Sequence, residues 1–277
     1  LSEHIMLRPL LIVPFLAIAT MLAPQSSSAQ EPRINQAIEL RTYTLVDEAA
    51  KAKLDAYLEH ALLPALERQG LGPIGVFDQA PTADGDANKE GDSQAKAVQI
   101  LLVIPGPSVE AVTSAAAKLS SDDSYHKAAA DYLSTPAAQP LVQRIRSELL
   151  MSFNCWPTVT VSAQKRAGKP RLFEMRVYES PTENFGELKV EMFNAGEVPI
   201  FLDCKIAPVF MGQALIGDMT PNLTYMTVYD NDEQRQAAWK AFVEHADWQV
   251  LKAVEKYQGT VSKIHKSDWL PKPYSQL

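Results

Sequence analysis

Cysteine is scarce: Cys155 and Cys204 are the only two in 277 residues, too few for a disulfide-built scaffold. Basic runs are missing too. Lys and Arg total 26 against 33 Asp and Glu, a net charge of -7 with a pI near 5.3. That excludes the basic face of a nucleic-acid binder and the polybasic stretch that seeks an anionic membrane surface. The chain also lacks a Gly-x-Gly-x-x-Gly fingerprint, a phosphate-binding P-loop and a Gly-x-Ser-x-Gly elbow, so three common nucleotide and hydrolase chemistries have no residues to work with. What remains is ordinary globular material, 46% hydrophobic and 21% charged, enough for one large or two small domains.

The first 29 residues read as a signal peptide rather than part of the fold. Arg8 gives a short positive region after Met6. The apolar run Leu10–Ala23 follows, shorter than the roughly 20 residues of a spanning helix. Ser27 and Ala29 then have the small-x-small spacing read by a signal peptidase. The mature protein is therefore expected to be periplasmic or secreted, without an integral membrane segment. An oxidising compartment permits a Cys155–Cys204 disulfide, although sequence cannot supply the Cα separation it needs.

An internal repeat decides the architecture. Ile38-Glu39-Leu40-Arg41-Thr42-Tyr43 recurs as Phe173-Glu174-Met175-Arg176-Val177-Tyr178, an offset of 135 that also carries Pro64 onto Pro199 and Pro73 onto Pro208. Later the offset is 123, relating Leu119 to Phe242 and Ser124-Tyr125 to Asp247-Trp248. The difference is an Asp-, Gly- and Ala-rich insertion at 78–97 in the first copy. Module one is placed at 30–160 and module two at 165–277.

Each copy reads strand, helix, strand, strand, helix, strand. The first strand alternates with a period of two, and the first helix shows a one-sided stripe at Leu54, Tyr57, Leu58, Ala61 and Leu62. Ser180-Pro181-Thr182-Glu183 predicts a capped start for the second copy's first helix, and Gly70 a left-handed stop for the first copy's. Ser124 and Asp247 are the expected N-caps after a break in each second helix. Strands two are expected near 71–77 and 206–215, strands three at 98–104 and 223–229, and strands four near 144–153 and 259–266. The order βαββαβ is the ferredoxin-like unit. Its sheet carries helices on one face, so two tandem units are expected to pack sheet to sheet as an α+β barrel of the dimeric α/β type, closed within one chain. Ile38, Leu40, Phe173, Met175 and Val177 are assigned to the helix side. Glu39, Arg41, Tyr43, Glu174, Arg176 and Tyr178 are assigned to the space between the sheets.

The Glu-[Leu/Met]-Arg-x-Tyr strand, the proline-containing turn after the first helix, and Phe242 followed by His245-Ala246-Asp247-Trp248 resemble the NIPSNAP family over nearly all of 36–270. The first copy departs from the late motif, with Asp122 for His and Tyr125 for Trp. The resemblance implies a ferredoxin-like, dimeric α/β-barrel fold, in a family with eukaryotic members linked to mitochondria and protein interaction. Its barrel relatives include cofactor-free monooxygenases, isomerases and haem enzymes. Fold likeness alone does not establish function.

The two Glu-x-Arg-x-Tyr triplets are the leading site candidates. Glu and Arg two apart on a strand share a face and can pair bidentately, leaving donors for an anionic or carbonyl ligand. The structural alternative is that the pairs neutralise each other and set the register of the sheets. His245 admits a catalytic or haem-ligand reading, but its place at a helix break favours capping. His60, His126 and His265 show no metal-ligand spacing. The acidic loop Asp84-Gly85-Asp86-Ala87-Asn88-Lys89 suggests calcium, yet Lys89 stands where an EF-hand needs glycine. Trp239, Phe242, Trp248 and Tyr257 have the spacing of a helical packing face. The leading expectation is a binding barrel of unassigned activity, for a small molecule or a protein partner, with neither cofactor nor metal predicted and a homodimer allowed. The alternatives are a cofactor-independent monooxygenase or isomerase using the inter-sheet cavity, and a haem-binding barrel.

N-terminal sequencing of protein from its native host should find cleavage after Ala29. An intact Met6 terminus recovered in membranes would contradict this.

Overall fold

The computed structural model describes residues 34–80 and 98–277. The signal-peptide expectation and almost all of the 78–97 insertion, including its calcium-like loop, lie outside the described residues. The first half contributes β1 (Ala37–Leu45), α1 (Ala49–Tyr57), α2 (Leu63–Arg68), β2 (Gly75–Gln79) and β3 (Gln99–Gly106). It continues with α3 (Val109–Thr113), α4 (Ala115–Leu119), α5 (Asp123–Ala128), α6 (Ala130–Leu133) and β4 (Val142–Ser152). After the connecting α7 (Ala163–Arg166), the second half has β5 (Leu172–Glu179), α8 (Glu183–Met192), α9 (Val198–Asp203) and β6 (Ala207–Ile216). It ends with β7 (Asn222–Tyr229), α10 (Asp232–Glu244), α11 (Ala246–Leu251) and β8 (Lys263–Pro271).

The strands form one closed barrel in the order β1-β3-β2-β8-β5-β7-β6-β4, and every ladder is antiparallel. Within it stand two ferredoxin-like sheets, β4-β1-β3-β2 and β8-β5-β7-β6. They are joined at their edges by β2–β8 and β4–β6, so each sheet supplies the partner for the other's unpaired backbone. Gly212 makes the β4–β6 seam possible: a Cβ there would lie 2.9 Å from the Leu150 Cβ and 3.2 Å from the Met151 carbonyl oxygen.

Closure gives each strand an inside and a helix-covered outside. The inside is a mixed core of both halves, including Ile38, Leu40, Phe77, Leu101, Val103, Leu150, Phe173, Met175, Phe210, Met226, Val228 and Trp269. The rings of Phe77 and Phe173 meet edge to face at 4.8 Å. Each outside core belongs mainly to one half, with Phe153 joining the second and Tyr274 packing on the first. The expected stripe Leu54, Tyr57, Leu58, Ala61 and Leu62 packs with Tyr43 and Leu45, and Phe193, Phe201 and Phe242 pack with Tyr178 and Tyr225.

This overturns the assigned strand parity. Ile38, Leu40, Phe173 and Met175 point into the barrel, whereas Tyr43 and Tyr178 lie under the helices. With period-two alternation, Glu39, Arg41, Glu174 and Arg176 are on the helix side as well. The physical reason is that the enclosed interior is cut off from solvent and takes the more apolar set of each strand, with Thr42, Glu148 and Thr224 among its buried polar members. A helix-covered face has edges where a long polar side chain can keep its head near water.

Two local features recur at the same offset. Wide π turns occupy Leu58–Leu62 and Phe193–Glu197, each just ahead of the second-position proline of the next helix, Pro64 or Pro199. A proline cannot donate the i→i−4 bond and crowds the preceding turn, which a wide turn relieves. Gly70, at φ 78°, ends α2 as expected. The other caps differ from expectation. Helix α8 follows Thr182 without a side-chain cap, and Ser180 donates to the Thr260 carbonyl instead. The breaks before α5 and α11 are capped by Asp122 and His245, two residues ahead of Ser124 and Asp247. The last strand, β8, runs later than expected, from Lys263 to Pro271. Both cysteines are free thiols, so the permitted disulfide is not formed.

Phe77→Ala and Phe173→Ala should each destabilise by about 3–5 kcal/mol in chemical denaturation, with the double mutant costing less than the sum because the rings touch. Full additivity would show that the interior does not pack as one core.

Candidate functional site

Both triplets form ion pairs beneath the helices. Arg41 binds Glu39 in bidentate fashion, Nε to Oε1 at 2.8 Å and Nη2 to Oε2 at 2.9 Å, and Ser147 of β4 donates to Glu39 Oε1 at 2.7 Å. Arg176 donates from Nε to Glu174 Oε1 at 2.6 Å. Here the second donor comes from a helix: Trp239 Nε1 reaches Glu174 Oε2 at 2.8 Å. The guanidinium of Arg176 lies 3.5 Å from the Trp239 ring centroid, a stacked cation–π contact. Ala116 stands 123 residues before Trp239, so the first half has no indole there. Burial works against the charge on both arginines, but Tyr43 and Glu39 around Arg41, and Tyr225, Tyr178 and Glu174 around Arg176, outweigh it and hold both pKa values above the ordinary range. These are satisfied pairs, the first tying β1 to β4 and the second tying β5 to α10, which favours the structural reading of the triplets.

The second half buries a further pair that the sequence reading missed. Lys189 Nζ donates to Glu197 Oε2 at 2.8 Å, with the two side chains 5% and 3% exposed. The pair spans the π turn, and the ammonium lies near the rings of Phe193, Trp248 and Tyr178. Burial pushes the Glu197 carboxyl up, against the pull of Lys189. The positions 135 earlier are Leu54 and Leu62, both fully buried, so the same frame tolerates an apolar pair.

His245 is a capping residue: its Nδ1 accepts from the Asp247 amide at 3.2 Å. Asp122, the matching residue, accepts from the Tyr125 amide at 2.9 Å. Trp239, Phe242 and Trp248 pack on the core of the second half. His265 pairs with Glu179, and His126 Nε2 lies 3.0 Å from the Ser120 carbonyl. Among the described residues, no three His, Cys, Asp or Glu side chains converge to hold a metal ion. Burial raises the Cys155 thiol to about 11, away from thiolate reactivity at neutral pH.

An open concavity lies outside the barrel, on the helical face of the first half. A cleft of about 830 Å³ runs between α1 and α6 and is lined in part by Ala49, Ala50, Lys53, Ala56, Tyr57 and His60. Ala128, Asp131, Tyr132 and the 134–141 loop form the opposite wall. Tyr57 and Tyr132 stack at 3.8 Å with an interplanar angle of 12°, and the Tyr57 hydroxyl meets that of Tyr125 at 3.0 Å. Burial, with smaller repulsion from Tyr43 and Tyr125, lifts the Tyr132 phenol to about 12, so it is neutral at physiological pH.

Small side chains line the cleft where the second half carries larger ones. Ala50, Ala56 and Ala128 stand where the offsets place Phe185, Glu191 and Leu251 in the second half. There Glu191, about half exposed, accepts from both Lys256 and Tyr257. None of the cleft residues was among the sequence-derived candidates. The available signal was a comparison of the two copies with each other for large-to-small exchanges on the polar face of α1.

Known proteins resemble this chain as follows. The family model for NIPSNAP matches residues 173–276, the half in which the sequence motif is intact. No curated protein matches the chain. Among solved structures, a candidate monooxygenase from Fusobacterium nucleatum is 6% identical over 86% of this chain and 92% of that one, with a TM-score of 0.54. A second candidate monooxygenase, from Lactobacillus acidophilus, is 11% identical over 86% and 94%, with a TM-score of 0.51. An uncharacterised NIPSNAP-like domain protein from Burkholderia xenovorans is 16% identical over 38% of this chain and 88% of that one, with a TM-score of 0.35. At these identities the first two establish a shared barrel fold and nothing about chemistry.

Lys189→Leu should leave Glu197 buried and unpaired, lowering stability by about 3–5 kcal/mol. Lys189→Leu with Glu197→Leu, which recreates the first half's arrangement, should recover most of that loss. Equal unfolding midpoints for the single mutant and wild type would show that the pair is not buried as described.

Proposed function

We propose, starting from a chain whose second module is a NIPSNAP domain, that this protein is a small-molecule-binding barrel with its ligand site in the α1/α6 cleft of the first module. The observation that carries this reading is the exchange of Phe185, Glu191 and Leu251 for Ala50, Ala56 and Ala128. It leaves small side chains around a cleft of about 830 Å³ in one module, where the other carries larger ones. That volume lies in the usual range for ligand sites. The barrel interior is occupied by Phe77, Phe173, Phe210, Met226 and Trp269, so the cavity imagined between the sheets is replaced by packed side chains. In this reading the second module supplies the rigid half of the barrel, and its charged clusters hold helices in place.

The two modules are read as diverged copies of one unit, in which one copy kept its packing and the other opened. No described helix is long and apolar enough to cross a membrane. The reading adds export with cleavage after Ala29 and leaves the complete barrel free to form a homodimer.

The fluorescent probe 1-anilinonaphthalene-8-sulfonate should bind the full chain saturably. Ala56→Trp and Ala128→Leu, both at exposed positions where the fold should change by less than about 0.5 kcal/mol, should each weaken binding at least tenfold, equivalent to about 1.4 kcal/mol. Unchanged titrations for both variants would place the probe elsewhere and contradict the reading.

A further inference from the structure

The cleft carries charges of both signs on facing walls. Lys53 projects from α1 and Asp131 from the first turn of α6. Among the described residues neither side chain has a salt-bridge or hydrogen-bond partner; Ser134 and Thr135 use only the Asp131 carbonyl oxygen. The other titratable groups facing the cleft are also of both signs. Asp47 accepts from the Ala50 amide at 2.8 Å as a cap for α1, and His60 is 3.9 Å from Glu59. Tyr57 and Tyr132 form a ready-made aromatic wall, and Ala49, Ala50, Ala56 and Ala128 leave room beside it.

A ligand bearing only negative charge would meet Asp131 and Asp47, and one bearing only positive charge would meet Lys53. A ligand of one sign gains from one wall and meets like charge on the other, so it binds more weakly than one that carries both charges. A ligand with both charges can satisfy Lys53 and Asp131 at once through charge-assisted hydrogen bonds. A planar ring gains further from the tyrosine wall, since aromatic pairs prefer offset or edge-on contact. Resting on the cleft reading, we propose that the first-module cleft takes a zwitterionic aromatic ligand, an aromatic amino acid or a small relative of it. Its carboxylate lies at Lys53, its ammonium at Asp131 and its ring against the Tyr57–Tyr132 pair.

Calorimetric titration of the full chain with L-tryptophan, tryptamine and indole-3-propionate tests this directly. Tryptophan should bind at least tenfold more tightly than either singly charged analogue. Lys53→Met should weaken tryptophan and indole-3-propionate but not tryptamine, and Asp131→Asn should weaken tryptophan and tryptamine but not indole-3-propionate. The proposal is overturned if either analogue matches tryptophan, or if both variants bind tryptophan as wild type does. Competition with 1-anilinonaphthalene-8-sulfonate separates the two levels. If the probe is lost on Ala56→Trp yet no indole compound displaces it, the ligand class is wrong and the cleft stands. If the probe ignores Ala56→Trp, the cleft reading itself fails, and the ligand class with it.

Discussion

Edge pairing between the two ferredoxin-like sheets is the constraint from which the rest follows. The β2–β8 and β4–β6 ladders turn two one-sided layers into a closed barrel. Closure removes the open edges and seals one face of each sheet from water. The sealed face is then predominantly apolar, which sends Ile38, Leu40, Phe173 and Met175 inward. Polar residues of the same strands are left for the helix-covered side, where the Glu–Arg pairs, the Lys189–Glu197 pair and the cleft are all found. A filled interior also moves any ligand outward, to a place where helix packing can be relaxed without opening the barrel.

The tandem arrangement provides an internal comparison. In the second module larger side chains occupy the helix-covered side: Trp239 lies over Arg176, and Glu191 binds Lys256 and Tyr257. In the first module Ala116 and Ala56 occupy the matching positions, and other groups take over part of the work. Ser147 completes the coordination of Glu39, and the tyrosines at 43, 57, 125 and 132 build a second polar–aromatic layer. One module is thus the better-packed scaffold and the other the better-opened surface. The family match, confined to residues 173–276, follows the same division.

Much of the architecture could be read before any coordinates. The recurrence of Glu-x-Arg-x-Tyr at one offset, and the βαββαβ order in each copy, lead to tandem ferredoxin-like modules closing a barrel. Alternation along β1 and β5 also separated two faces correctly. It could not say which face was enclosed, because period two is silent about what covers each side. The choice went wrong where Glu39, Arg41, Glu174 and Arg176 looked like cavity residues. The two breaks were expected to be capped by Ser124 and Asp247, and the caps stand two positions earlier at Asp122 and His245, where His245 had already been read as a capping residue. The cleft escaped notice for a different reason. It is made by alanines, which carry no chemical signal singly and acquire meaning only against Phe185, Glu191 and Leu251 in the other copy.

The central claim is that ligand binds on the outer helical face of the first module and not inside the barrel. Methyl-resolved NMR of alanine-labelled protein, titrated with 1-anilinonaphthalene-8-sulfonate, observes both places at once. The account predicts shifts concentrated at Ala49, Ala50, Ala56 and Ala128, with Ala214, which packs against the barrel interior, unmoved. Shifts centred on Ala214, with the α1 and α5 alanines silent, would contradict it.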